Sequence, residues 1–108
     1  MGYYTNFSLR LCGEDEDVKA VEQDMLDTLY KPLAEDLVKF GYADEYKWYS
    51  SDEDMREIAK RHPNVLIILC GEGEDEMDIW EHRYKGEIDE YHQVEMPPFT
   101  NENLVIPA

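Results

Sequence analysis

The sequence predicts an α+β fold: a two-layer sandwich in which a mixed four- to five-stranded sheet carries two to three helices on one face. Three patterns carry this reading. Residues 3–12 alternate with the period of a strand, Val65-Leu66-Ile67-Ile68-Leu69-Cys70 is an unbroken apolar run, and Val18, Val21, Met25 and Leu29 recur at helical spacing. Of 108 residues, 43% are hydrophobic, which suffices for one core, so residues 1–98 are expected to form a single domain followed by a tail over 99–108.

Each element has a local cause. Tyr3 to Cys12 places Tyr3, Thr5, Phe7, Leu9 and Leu11 on one face and Tyr4, Asn6, Ser8 and Arg10 on the other, and Gly13 ends the run. Glu14-Asp15-Glu16-Asp17 then suits the positive end of a helix dipole. Pro32 stops or kinks that helix near Tyr30, because proline inside a helix removes a hydrogen bond and clashes with the preceding turn. A short helix over Leu33 to Phe40 ends at Gly41. The aromatic stretch from Tyr46 to Tyr49 reads as a second strand.

Ser50 with Glu53 resembles a capping box and opens a helix from Asp52 to His62, which Pro63 ends; Met55, Ile58 and Ala59 form its apolar stripe. Val65 to Cys70 is a central strand, Asp78 to Tyr84 a fourth, and Lys85-Gly86 reverses the chain into a fifth from Ile88 to Met96. Pro97-Pro98 terminates it. Helical crossovers between the first three strands predict that they run parallel. A helical hairpin at Pro32 would instead reverse the second.

Charge bounds the function. Asp and Glu number 26 against 10 Lys and Arg, a formal net charge of −16, and such a field repels nucleic acid and anionic lipid while steering cationic proteins toward the surface. No segment reaches the ~20 apolar residues of a membrane span, and the start lacks a signal-peptide pattern, so a cytoplasmic setting is expected. Asn6 stands where a myristoylation motif after Gly2 needs Ser or Thr. Cys12 and Cys70 are too few for a disulfide framework and wrongly spaced for zinc, and both are expected reduced in the core.

Leu11-Cys12-Gly13-Glu14 is echoed by Leu69-Cys70-Gly71-Glu72, and acids follow both. With parallel strands the sheet would gather Glu14, Asp15, Glu16 and Asp17; Asp52, Glu53 and Asp54; and Glu72, Glu74, Asp75, Glu76 and Asp78 on one edge. That rim is the candidate partner-binding surface, able to compete with nucleic acid for a basic groove. The plainer reading is that helix starts and turns prefer acids.

The other chemistry is thin. Glu72 to Asp78 lacks the ligand spacing of a calcium loop, and His62, His82 and His92 lack zinc-site spacing. His62 suits a helix C-terminus, while His82 and His92 are expected to face each other across the last hairpin. Gly71-Glu72-Gly73 is no dinucleotide fingerprint, and neither catalytic residues nor a cofactor are expected. Trp48, Tyr49, Trp80 and Tyr84 are core or an interface platform, with core favoured.

Several stretches resemble a family of short proteins from phages and mobile elements: Met1-Gly2-Tyr3-Tyr4-Thr5, Lys47-Trp48-Tyr49, Glu53-Asp54-Met55, His62-Pro63-Asn64-Val65-Leu66, Gly71-Glu72-Gly73-Glu74 and Asp78-Ile79-Trp80. The likeness is weakest over Val18 to Asp44 and in the tail. The chain also looks distantly like plasmid-encoded ferredoxin-like domains. This resemblance implies an α+β fold and a mobile-element setting, where small acidic proteins include inhibitors of restriction and CRISPR nucleases. The expected function is inhibition of a basic nucleic-acid-binding host protein through the acidic rim, by mimicry of DNA or RNA, without direct contact with nucleic acid or membrane. The alternatives are a small hydrolase or metal-dependent enzyme using Glu72 to His82, and an accessory phage protein that self-associates through Leu104-Val105-Ile106.

Overall fold

The computed structural model describes residues 3–75, 77–94, 100–104 and 106. Its elements are β1 (Thr5–Cys12), α1 (Asp15–Thr28), α2 (Lys31–Phe40), β2 (Tyr42–Tyr46), α3 (Ser51–Arg61), β3 (Leu66–Gly73), β4 (Ile79–Lys85) and β5 (Ile88–Val94), with a 3-10 turn at Glu102–Leu104. The fold is the α+β two-layer sandwich that the patterns predict. Its sheet has the order β2-β1-β3-β4-β5.

Every neighbouring pair in that sheet is antiparallel, so the expected mixed sheet with three parallel strands is corrected. The cause is the break at Pro32. It sits in the first turn of α2, where its missing N–H removes no helical bond, and α1 and α2 form a hairpin that returns the chain beside β1. Gly41 ends α2 in the left-handed conformation at φ 79°, and its carbonyl accepts from the Leu9 N–H at 2.7 Å. β2 thus enters antiparallel, and α3 carries the chain across β1 to its other side.

The second strand also lies earlier than its aromatic residues suggest. It ends at Tyr46; within it Glu45, at a positive φ of 58° and with its N–H held by Asn6 Oδ1 at 2.8 Å, interrupts the ladder, and pairing resumes at Tyr46 opposite Thr5. Trp48 then leaves the sheet plane and packs edge-on against Phe7 at 5.2 Å. Ser50 makes no side-chain cap, so the expected capping box is replaced: Ser50 Oγ and the Trp48 indole N–H both donate to Asp54 Oδ2, at 2.9 and 2.7 Å.

Phe7, Ile67, Leu69 and Tyr84 from the sheet meet Val21 and Met25 of α1, Leu33 and Leu37 of α2, and Met55 and Ile58 of α3. Strand alternation sends Asn6, Ser8 and Arg10 outward, and among the described residues no α-helix covers that second face. Cys12 and Cys70 lie on this uncovered face, free and half-buried, so their expected place in the core is corrected. The echoed Leu-Cys pairs keep the same alternation in both strands, with Leu69 fully buried.

The second Gly-containing motif is explained by packing. A β-carbon on Gly71 would come within 2.2 Å of the Trp80 ring, and one on Gly73 within 2.2 Å of Tyr3 Oη and Asp78 Oδ2. Gly86 has φ 61° at the first central position of the β4–β5 turn, the position where a two-residue type II′ hairpin places glycine. β5 is described to Val94; its expected extension to Met96, with Pro97-Pro98, lies outside the described residues. Gly71→Ala should therefore destabilise the fold by about 1–3 kcal/mol through forced displacement of Trp80. Urea denaturation followed by tryptophan fluorescence checks this, and an unchanged midpoint would contradict it.

Candidate functional site

The antiparallel register separates the acidic clusters. Thr5 pairs with Gly73 and Cys12 with Leu66, so Glu14, Asp15, Glu16 and Asp17 follow β1 at one end of the sheet while Glu72, Glu74, Asp75 and Asp78 occupy the other. The expected single rim is therefore not formed. Glu76 lies outside the described residues. The third cluster, Asp52, Glu53 and Asp54, opens α3 after β2, whose last residue Tyr46 pairs with Thr5 at the same end as Glu72.

Two of the three clusters thus border the Thr5 end, the α3 cluster through Asp54, since Asp52 turns to His82 and Tyr84. They are joined by a pair of adjoining concavities that share Tyr4 and Glu45 as a wall. One, of about 410 Å³, is lined by Asn6, Glu72, Gly73 and Glu74. The other, of about 710 Å³, is a groove bordered by Tyr30, Tyr46, Trp48, Tyr49 and Asp54. Tyr30 and Tyr49 are about 70% exposed, whereas Trp48 and Tyr84 are core and Trp80 is half-buried. Of the aromatics named from the sequence, Tyr49 alone is open to a partner; Tyr4, Tyr30 and Glu45 were missed, because only the fold brings them together.

Tyr3 organises the acidic side of this end. Its hydroxyl donates to Asp78 Oδ2 and accepts from the Asp75 N–H at 3.0 Å, and its own N–H donates to Tyr49 Oη at 2.7 Å. The bond to Asp78 holds the phenol above its ordinary pKa. Tyr4 N–H donates to Glu74 Oε1 at 2.8 Å. The loop acids are therefore held in place by the first residues of the chain, while Glu72, Glu74 and Asp75 remain exposed.

Charge is distributed unevenly between inside and outside. Among the described residues, Asp52 is the one member of the three clusters within an ion pair, to Arg56 at 3.0 Å and to His82 Nδ1 at 3.3 Å. Apart from that pair, the arginines of α3 reach acids outside the clusters: Arg61 donates to both Asp24 oxygens at 2.8 and 3.0 Å, with His62 Nε2 at 2.8 Å, and Arg56 also reaches Asp89 at 3.2 Å. His62 thus caps its helix end as expected and also ties α3 to α1.

A second cluster lies beside α3. His82, buried, stacks on Tyr84 at 4.1 Å, with Nε2 2.9 Å from Asp89 Oδ1 and Nδ1 facing Asp52, which also accepts from the Tyr84 hydroxyl at 3.0 Å. His82 pairs with Tyr91 and His92 with Glu81, so the two histidines lie on opposite faces and the expected His82–His92 pair is corrected. Asp52, His82 and Asp89 are close enough to hold a metal ion. Arg56, however, already bridges both carboxylates, and the carboxylates address opposite edges of one imidazole. With both ring nitrogens engaged, the arrangement is a charge clamp between α3 and the β4–β5 hairpin. Burial and the Glu81 hydrogen bond raise the Cys70 thiol, which disfavours a thiolate nucleophile.

No family model, curated protein or solved structure matches the chain. Among the described residues no helix is long and apolar enough to cross a membrane.

The clamps have a pH signature. The Arg61 hydrogen bond holds the Asp24 carboxyl below the usual range, and His82, then Arg56, does the same for Asp89. A depressed folded pKa stabilises the protein above the unfolded carboxylate value of about 3.9, and that stability is lost as pH falls through the folded values. Stability should therefore drop steeply below about pH 4. In Asp24→Asn with Asp89→Asn that acid limb should be shallower, as read by the denaturation midpoint between pH 2 and 7; equal slopes would contradict it.

Proposed function

We propose that this protein is a binding module for a basic, nucleic-acid-handling protein, and that it works by occupying the partner's phosphate-binding surface. The observation that carries this reading is the unneutralised acidic end. Glu72, Glu74 and Asp75 lie exposed and in no ion pair among the described residues, beside a concave aromatic wall, while the cations of α3 are turned onto structural acids. Carboxylates left without internal cations present their full field to an approaching protein. A groove that binds a polyanion is the complementary surface.

The contact surface is narrower than the sequence suggests. It comprises Glu72, Glu74 and Asp75 with Asp54 at the start of α3, whereas Glu14 to Asp17 adds to the long-range field from the far end. Inhibition of a host restriction or CRISPR nuclease, as the phage-like resemblance implies, is one setting that fits this chemistry.

The test uses nuclease-treated bacterial lysate with the protein as bait, followed by kinetics on each captured basic protein. Association should slow strongly with salt, since exposed charges are screened over ~8 Å at physiological ionic strength. Glu72→Lys, Glu74→Lys and Asp75→Lys together should slow it roughly tenfold or more, and the matching reversal of Glu14, Asp15 and Glu16 should do much less. Nucleic acid should compete for the same partner. A salt-independent rate, or equal effects of the two reversals, would sink the reading.

A further inference from the structure

We infer that the aromatic groove beside the acidic loop takes an arginine side chain of the basic partner. This deepens the proposed function and rests on it. The groove brings the rings of Tyr4, Tyr30, Trp48 and Tyr49 to one concavity of about 710 Å³ whose rim carries Glu45 and Asp54. Its polar ring atoms are largely spent: the Trp48 indole N–H goes to Asp54, the Tyr46 hydroxyl to Asp36 at 2.8 Å, and Tyr49 Oη accepts from Tyr3. What remains to meet a ligand is aromatic surface with the Tyr4 and Tyr30 hydroxyls, under a negative potential, which selects a cation over a neutral apolar group.

The chain itself shows that a cation rests there. Lys47 Nζ lies 4.7 Å from the centre of the Tyr4 ring, on the wall that the groove shares with the acidic concavity. Both bonds accepted by Asp54 fall on one oxygen, Oδ2. Guanidinium suits this environment better than ammonium, since it stacks flat on a ring, is weakly hydrated and offers a fork of donors to carboxylates. Lys47 is then a resident cation that the incoming arginine displaces from Tyr4.

The test uses the whole chain with capped hexa-arginine, hexalysine and hexacitrulline peptides, the last replacing guanidinium by a neutral urea of the same shape. Hexa-arginine should bind more tightly than hexalysine, and hexacitrulline should not bind. Tyr4→Leu and Tyr49→Leu should each weaken hexa-arginine binding by about two- to fivefold, and Tyr49→Phe, which keeps the ring, by little. Lys47→Met, an exposed change, should tighten binding by opening Tyr4. Thermal unfolding by circular dichroism identifies any tyrosine variant that fails to fold, in which case Lys47→Met and the peptide series decide. Leucine variants that bind as the parent, while reversal of Glu72, Glu74 and Asp75 abolishes binding, would overturn the groove and leave the acidic surface standing. Failure of hexa-arginine to bind at low salt would overturn both.

Discussion

The reversal of the chain between α1 and α2 is the constraint on which the rest of the structure depends. Pro32 prevents one continuous helix from carrying the chain across the sheet, and Gly41, in the left-handed conformation, hooks the end of α2 onto β1 through the Leu9 N–H. β2 therefore runs antiparallel beside β1, α3 crosses over, and β3 pairs with the other side of β1. Once β1 is flanked this way, the residues after β1 and those after β3 must lie at opposite ends. Where each acidic cluster falls is thus decided by a proline and a glycine remote from all of them.

α3 is the strap that joins the layers. Its apolar stripe, Met55, Ile58 and Ala59, is buried in the shared core, and its polar flanks reach Asp24 on one side and Asp52, His82 and Asp89 on the other. Apolar burial dominates the energetics, at roughly 1.5–3 kcal/mol for each fully buried large aliphatic side chain, whereas the exposed ion pairs, screened by solvent, contribute little. The pairs matter more for where charge ends up. They draw the arginines of α3 onto structural carboxylates and leave other acids facing solvent.

The Thr5 end of the sheet consequently combines two properties that seldom need to coincide for stability alone. Backbone and tyrosine hydrogen bonds hold the Glu74 and Asp75 turn in place, and exposed rings line the adjoining groove. Fixed carboxylates give orientation as well as attraction, and rings give contact area at low entropic cost. Gly71-Glu72-Gly73 belongs to this construction as a packing motif: its two glycines make room for Trp80 and for the Tyr3–Asp78 contact, and the acid between them faces out.

The fold class, the existence and approximate bounds of the helices, the β4–β5 hairpin, the central apolar strand and the overall acidity are all legible in the sequence. Each of these depends on local periodicity, on proline and glycine stereochemistry, or on composition. Long-range packing decided strand direction, because a helix-to-strand connection has the same local pattern whichever way the strand then pairs. It also decided the interruption of β2 at Glu45 and its end at Tyr46, the outward face for both cysteines, the separation of His82 from His92 and the division of the acidic rim. Local propensity could not show these, since each turns on which face or end of the sheet a residue meets. The groove of Tyr4, Tyr30, Trp48 and Tyr49 is the clearest case: its members lie on three separate stretches of chain with no shared spacing, and they become a site only when β1, α2 and α3 pack around one end of the sheet.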